Sequence, residues 1–339
     1  MSIKQQNPDA DKRKADHIDL TFQSQMTGIQ SDQRFYYEPV TGNSLADIDL
    51  SLNFLNVEFG APVWISSMTG GAQRAKTINT NLAKLCKKYK LGMGLGSCRQ
   101  LLDDDTYFSD FDLREHIGDR PFFVNLGIAQ IERLVHENQT SKISELIKKL
   151  KADGLIIHVN PLQEFMQPEG DKLQNSPIWT IKKVIDKVQT RIIVKEVGQG
   201  MGPKSLQTLL SLPLDAIETA AFGGSNFSKL ESLRQQNDLA QQYSDLVRVG
   251  HSAEEMIGYI NKLIIEPESN VSCRNIIISG GIKSFLDGYY YMEIIKMPAI
   301  YGMASQFLKY AMVSFDVLDE YMSLHIEGLK MAKAFLKVK

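Results

Sequence analysis

The chain has 339 residues, 43% hydrophobic and 23% charged, with Lys plus Arg at 38, Asp plus Glu at 40 and a formal net charge of -2. That much apolar surface can offset the ordering entropy of a fold, which excludes a disordered chain. No basic excess exists to attract nucleic acid, and no apolar run approaches the roughly 18–20 residues of a membrane helix, so neither partner is expected.

In chain order, residues 1–62 are polar and read as an N-terminal arm with irregular or short elements. Charges run through the first twenty residues, so no signal peptide is expected there. Arg13, Lys14 and His17 cluster in this arm, and their plain reading is a solvated charged surface. The three cysteines, Cys86, Cys98 and Cys273, cannot form a disulfide framework and fit a reducing, cytoplasmic compartment.

From residue 63 onward, eight short apolar runs recur, at 63–68, 91–95, 122–126, 155–159, 192–197, 216–219, 275–279 and 299–303. Continuous runs of this kind suit parallel strands buried on both faces. Helical patterns lie between most of them. Ile78, Leu82, Leu85 and Tyr89 mark one face of a helix within 72–89, and Ile143, Leu146, Ile147 and Leu150 mark another. Pro203 opens a third, through Leu206, Leu209 and Leu210. The long interval after 216–219 requires an insertion within 228–274. Residues 308–338 are amphipathic and read as a terminal helix or two. Eight alternating units predict an α/β fold, a (β/α)8 TIM barrel over 63–339 preceded by the arm. The runner-up is an open doubly wound sheet, which the lack of GxGxxG after the first run weakens.

In a barrel of this type, chemistry sits at the carboxyl ends of the strands. The runs deliver Ser67-Met68-Thr69-Gly70-Gly71, Ser97-Cys98-Arg99, Asn125, His158 with Asn160, Lys195-Glu196, Gly223-Gly224-Ser225, Gly280-Gly281 and Ala304-Ser305. Hydrogen-bonding groups, glycines and cations dominate, and carboxylates are few. A mouth of this composition suits an anionic, planar ligand. The glycines after the seventh and eighth runs are either tight turns or a phosphate cradle. Lys195 stands in an apolar strand and must find a partner. It is a structural ion pair with a neighbouring acid such as Glu218, a cation beside a flavin ring, or a Schiff-base lysine. Strand alternation puts His158 and Asn160 on one face. Glu164 lacks neighbouring acids and so cannot build a metal cage, but one carboxylate plus substrate phosphates is a common Mg2+ arrangement. Arg99 is a candidate phosphate clamp. Cys98 has no His beside it in sequence and reads as structural.

The segments RKADHI (13–18), SSMTGG (66–71), GLGSCRQ (94–100), NLG (125–127), HVNPLQE (158–164), KEVGQGM (195–201), FGGSNF (222–227) and SGGI (279–282) together resemble the type 2 isopentenyl-diphosphate isomerase family. The segments occur in order and span most of the chain; HVNPLQE and KEVGQGM are the most specific. The resemblance implies a flavoprotein barrel that interconverts isopentenyl and dimethylallyl diphosphate on reduced FMN with Mg2+, without net redox change. NADPH or another reductant would reduce the flavin. By motif, Ser67, Met68, Thr69, Ser97, Asn125, Lys195 and Ser225 would contact FMN, and Gly281, Ile282, Lys283, Ala304 and Ser305 its phosphate. Arg13, Lys14, Ser97, Arg99, His158 and Asn160 would hold the substrate diphosphate. Gln163 would face the reacting allylic group, with Lys195 as its catalytic companion, and Glu164 would hold Mg2+. Departures from the family pattern are Cys98 for Gln, Ser225 for Thr, Ala220-Ala221 for Ser-Gly and Lys283 for Arg. A homo-oligomer, tetramer or octamer, is also implied. The competing readings are a flavin-dependent 2-hydroxy acid oxidoreductase on the same barrel and a non-catalytic protein that binds a prenyl diphosphate or flavin.

Overall fold

The computed structural model describes residues 10–72, 74–235, 243–266 and 270–339; residues 1–9 of the expected arm, and 236–242 and 267–269 of the expected insertion, lie outside them. In chain order the strands are β1 (Phe35–Tyr37), β2 (Leu52–Phe54), β3 (Val57–Phe59), β4 (Val63–Ile65), β5 (Gly92–Gly94), β6 (Phe122–Gly127), β7 (Gly154–His158), β8 (Arg191–Lys195), β9 (Ala216–Glu218), β10 (Ile276–Ser279), β11 (Ala299–Met303) and β12 (Leu336–Val338). Strands β4 to β11 form a closed parallel barrel in sequence order. Closure pairs Tyr301, Gly302 and Met303 of β11 with Val63, Trp64 and Ile65 of β4. Each of the eight apolar runs therefore supplies one barrel strand. The first is shorter than its run and ends at Ile65, although Ser66 still donates its N–H to Met303 O at 3.0 Å.

Side chains on a strand alternate between its faces, and in a barrel one face is the lumen. Trp64, Phe123, Ile156, Ile193, Ala216, Ile277 and Ile300 point inward and pack as one layer. Their neighbours Ile65, Val124, Leu155, Ile157, Val194, Ile217, Ile278 and Tyr301 point outward and pack with the helices. Helices Ala75–Tyr89, Ser141–Lys149 and Pro203–Leu210 lie where the apolar spacing placed them.

The arm is not uniform. Its β2–β3 hairpin turns through Leu55 and Asn56, both left-handed at φ 52° and 57°, the backbone that a two-residue hairpin turn needs. Phe54, Leu55 and Phe59 then join the inward layer and plug the amino end of the barrel. Upstream, β1 pairs antiparallel with β12 through Phe35–Val338, Tyr36–Lys337 and Tyr37–Leu336. The amphipathic stretch 308–338 thus gives helix Phe315–Phe335 and then a strand that helical spacing did not reveal. No described helix is long and apolar enough to cross a membrane.

Helix Phe315–Phe335 docks on the barrel partly through a polar contact, His325 Nε2 to Tyr301 Oη at 2.6 Å. Burial holds the His325 imidazole down at about 4, from 6.5. The unfolded chain therefore takes up this proton first as pH falls. Stability from the neutral imidazole is complete above about pH 6.5 and is lost towards pH 4, up to about 3 kcal/mol in all. Urea midpoints measured across that window should fall more steeply for the native chain than for His325→Gln.

Candidate active site

Two residues beyond the inward apolar layer, alternation brings a second set of side chains into the lumen. They are Ser66, Asn125, His158, Lys195, Glu218, Ser279 and Gly302, and they face the carboxyl ends of the strands. Lys195 is 7% exposed. Its Nζ donates to Glu196 O at 2.8 Å, and it forms no ion pair among the described residues. The ion pair with Glu218, one of the three readings of Lys195, is therefore not made, although the two residues are register partners across β8 and β9. Burial pulls the ammonium below its ordinary range, and the charges of Glu218 and Glu196 oppose that pull. Glu218 Oε1 instead accepts from Ser66 Oγ at 2.6 Å across the lumen.

His158 pairs in register with Lys195. Burial, and then the Lys195 charge, hold its imidazole down at about 3, so it is neutral. Asn125 Nδ2 donates to Leu95 O at 3.0 Å, which orients the amide and leaves Oδ1 facing His158 Nδ1 at 2.8 Å. Nδ1 therefore carries the proton and Nε2 keeps its lone pair.

The loop after β8 is tied down by Glu196. One carboxylate oxygen accepts from the N–H groups of Gly198 and Gln199, both at 2.6 Å, and of Gly200 at 3.0 Å. Burial nonetheless pushes the Glu196 carboxyl above its ordinary range.

Above the polar layer opens a cavity of about 330 Å³, lined by Ser67, Lys195, Glu218, Gly281, Ala304 and Ser305 among others. Ser225, Ile282 and Lys283 also border it. Gly280 and Gly281 are left-handed at φ 92° and 77°, and a Cβ on Gly280 would lie 2.1 Å from Ala221 O. Only glycine permits that turn. Ala220, in place of the small hydroxyl residue of the resemblance, is itself left-handed at φ 41°, a strain of about 1–3 kcal/mol. Buried oxygens of Ser67 (Oγ) and Glu218 (Oε2) have no partner among the described residues. A glycine cradle, a cation and unpartnered polar atoms fit a phosphate-bearing ligand with a hydrogen-bonding ring.

A second cluster forms where β7 ends. The strand stops at His158, and Asn160 leads into helix Pro161–Met166, so simple alternation does not carry from one to the other. Asn160 Nδ2 lies 3.1 Å from both Gln163 Oε1 and Glu164 Oε1, while its buried Oδ1 has no partner. Glu164 is 6% exposed, and its Oε2 accepts from Asp171 N at 2.9 Å. Gln163 Nε2 donates to Glu231 Oε1 at 3.3 Å, and Glu231 Oε2 pairs with Arg234 at 2.5 Å. Sequence reasoning missed Glu231, which sits in the stretch assigned to the insertion. Its helical offset of three from Arg234 was visible, but nothing in the sequence pointed it at Gln163. Arg99 is exposed and lies 3.7 Å from Asp171. Among the described residues no group of three His, Cys, Asp or Glu could hold a metal ion, so an ion here would rest on Glu164 and ligands from the substrate.

Other expected residues lie apart. Arg13 and Lys14 sit on helix Ala10–Leu20, exposed from residue 11 onward, and make no polar contact with the mouth. Met68 and Thr69 are half-buried and Ser97 is exposed, and none of the three borders the cavity. Burial pushes the Cys98 thiol up to about 12, which agrees with a structural role. A larger cavity of about 500 Å³, lined by Leu162, Ile178, Ile181, Met201 and Leu209 among others, holds neither Lys195 nor the glycine cradle.

No family model matches the chain. An isopentenyl-diphosphate delta-isomerase from Rickettsia bellii is 35% identical over 326 residues, covering 94% of this chain and 91% of the relative. Another, from Rickettsia felis, is 34% identical over 333 residues, covering 96% and 92%. Among solved structures, a mandelate oxidase variant with an FMN adduct aligns with a TM-score of 0.56 at 11% identity, over 97% of this chain and all of that one (100%). A flavocytochrome b2 variant with benzoylformate aligns at 0.60 and 12% identity, over 89% and 75%. These two likenesses show the barrel fold.

Proposed function

The chain belongs to the isopentenyl-diphosphate delta-isomerase family, and from that membership we propose that it interconverts isopentenyl and dimethylallyl diphosphate at the barrel mouth, with reduced FMN and Mg2+ and no net redox change. The observation that carries the reading is the buried ammonium of Lys195, without an ion pair among the described residues, in the lining of a cavity that also holds a glycine cradle.

Moving an unactivated double bond requires a proton added at one carbon and removed at another, with positive charge in between. Bound reduced FMN supplies an electron-rich ring that stabilises that charge and exchanges the proton. Lys195 favours negative charge on the ring edge beside it. The N–H groups around Gly281, Ile282 and Lys283, with Ala304 and Ser305, receive the FMN phosphate. Ser67 and Ser225 complete the cofactor contacts at the cavity wall, and Met68, Thr69, Ser97 and Asn125, outside that lining, are assigned to FMN on the family motif alone.

At the β7 end, Glu164 binds Mg2+ together with substrate oxygens. Arg99 and Ser97 hold the diphosphate and fix the alkene, joined by Asn160 and by His158, whose Nε2 can donate to it once the bound anion draws a second proton onto the imidazole. Gln163 orients the proton at the allylic carbon, and Glu231 holds its amide. Arg13 and Lys14 reach the diphosphate when the arm folds over the mouth, which also excludes water. NADPH or another donor reduces the flavin, and the working form is a cytoplasmic homo-oligomer, a tetramer or octamer. A 2-hydroxy acid oxidase would need a base beside the substrate C–H, and the loop after β10 offers Gly280, Gly281, Ile282 and Lys283 with no His.

The purified protein should be yellow, bleach with dithionite, and then interconvert the two diphosphates when Mg2+ is added. A colourless preparation that stays inactive after FMN, dithionite and Mg2+ are supplied overturns the reading.

A further inference from the structure

We infer that Glu218 is a cofactor-binding residue whose unpartnered carboxylate oxygen accepts a hydrogen bond from a hydroxyl on the polyol chain between the ring and the phosphate of FMN. The inference rests on the reading that FMN occupies the cavity.

Glu218 is 1% exposed. Oε1 is satisfied by Ser66 Oγ at 2.6 Å, while Oε2 is buried with no partner. Leaving a carboxylate oxygen dry and unbonded is costly, so a donor is missing from its surroundings. Lys195 is not that donor, because its Nζ is turned to Glu196 O. The Ser66 contact holds the carboxylate across the lumen instead. Both Glu218 and Lys195 line the cavity.

Strand order fixes what passes over Glu218. Its strand, β9, lies between β8, which carries Lys195, and β10, which leads into Gly280-Gly281. A ligand with its ring edge at Lys195 and its phosphate in the glycine cradle must run its linker past β9. A carboxylate can only accept. It repels both the phosphate and a negative ring edge. Between those two anionic ends the linker of FMN offers hydroxyl donors.

Three flavins separate the possibilities: FMN, riboflavin, which lacks the phosphate, and lumiflavin, which keeps the ring and its imide N–H but lacks the polyol. Their affinities for the flavin-stripped full chain are read by fluorescence quenching in wild type, Glu218→Ala and Glu218→Met. Both variants should bind FMN and riboflavin roughly 10- to 100-fold more weakly and lumiflavin as wild type does. Retained lumiflavin binding also reports an intact barrel, and the Met variant, which keeps the side chain's volume, decides if the Ala variant is unstable. An equal loss for lumiflavin in the Met variant, or no loss for any flavin, overturns the inference. Wild type that binds none of the three defeats the FMN reading itself, a result distinct from either of those.

Discussion

Lys195→Met is expected to lower kcat by roughly 100- to 1000-fold, the scale for removing one preorganised charge from a reacting centre. The barrel itself should survive. Met is unbranched and of similar length, and the substitution removes a buried charge that holds no ion pair, only the Glu196 carbonyl. The loss should appear in kcat with little change in KM, because the ammonium lines the cavity proposed for FMN and the proposed diphosphate contacts lie at other residues. Reduced enzyme titrated by absorbance should show the flavin proton lost at higher pH than in wild type. Lys195→Arg should rescue poorly, since a planar fork replaces a compact ammonium in a tight lumen. Near-wild-type turnover by the Met variant would remove Lys195 from the mechanism.

Glu164→Gln should have the second largest effect. The amide keeps the shape and can still accept from Asp171 N, so the turn after helix Pro161–Met166 stays in place. The charge proposed to bind Mg2+ is lost. The half-saturating Mg2+ concentration should rise by at least about 10- to 100-fold, the range for lesser changes around a metal, and kcat/KM should fall at fixed Mg2+. Flavin content should match wild type, because Glu164 does not line the flavin cavity. Turnover that stays Mg2+-dependent with an unchanged midpoint would move the ion to another site.

The barrel was legible because each buried strand lies in a mostly apolar run that ends near a Gly or a polar residue. The inside and outside of the barrel were not. A run such as Phe122-Phe123-Val124 is apolar at every position, so it carries no alternation to say which residue faces the lumen. Lys195 stood out only because a cation interrupts its run. Ser66 and Glu218 looked like ordinary strand-end residues until closure brought β4 and β9 across from each other. Glu231 reached Gln163 through a helix packed from an insertion, and no local pattern encodes that contact. The polar groups of the HVNPLQE segment stood out in the sequence, yet its chain turns after His158, and Asn160 bonds to Glu164 rather than continuing the strand.

The antiparallel pairing of β1 with β12 joins residues about three hundred positions apart. During synthesis, Phe35–Tyr37 emerges early and has no strand partner until Leu336–Val338 has left the ribosome, although Arg34 can meet Asp287 and Phe35 can stack on Tyr289 somewhat sooner. The upstream helix with Arg13 and Lys14 therefore gains these tethers only when nearly the whole barrel has been made, and the strand pairing after all of it, since Met303, the last barrel residue, precedes Leu336. Any clamp built from that helix can be anchored only late in the birth of the polypeptide.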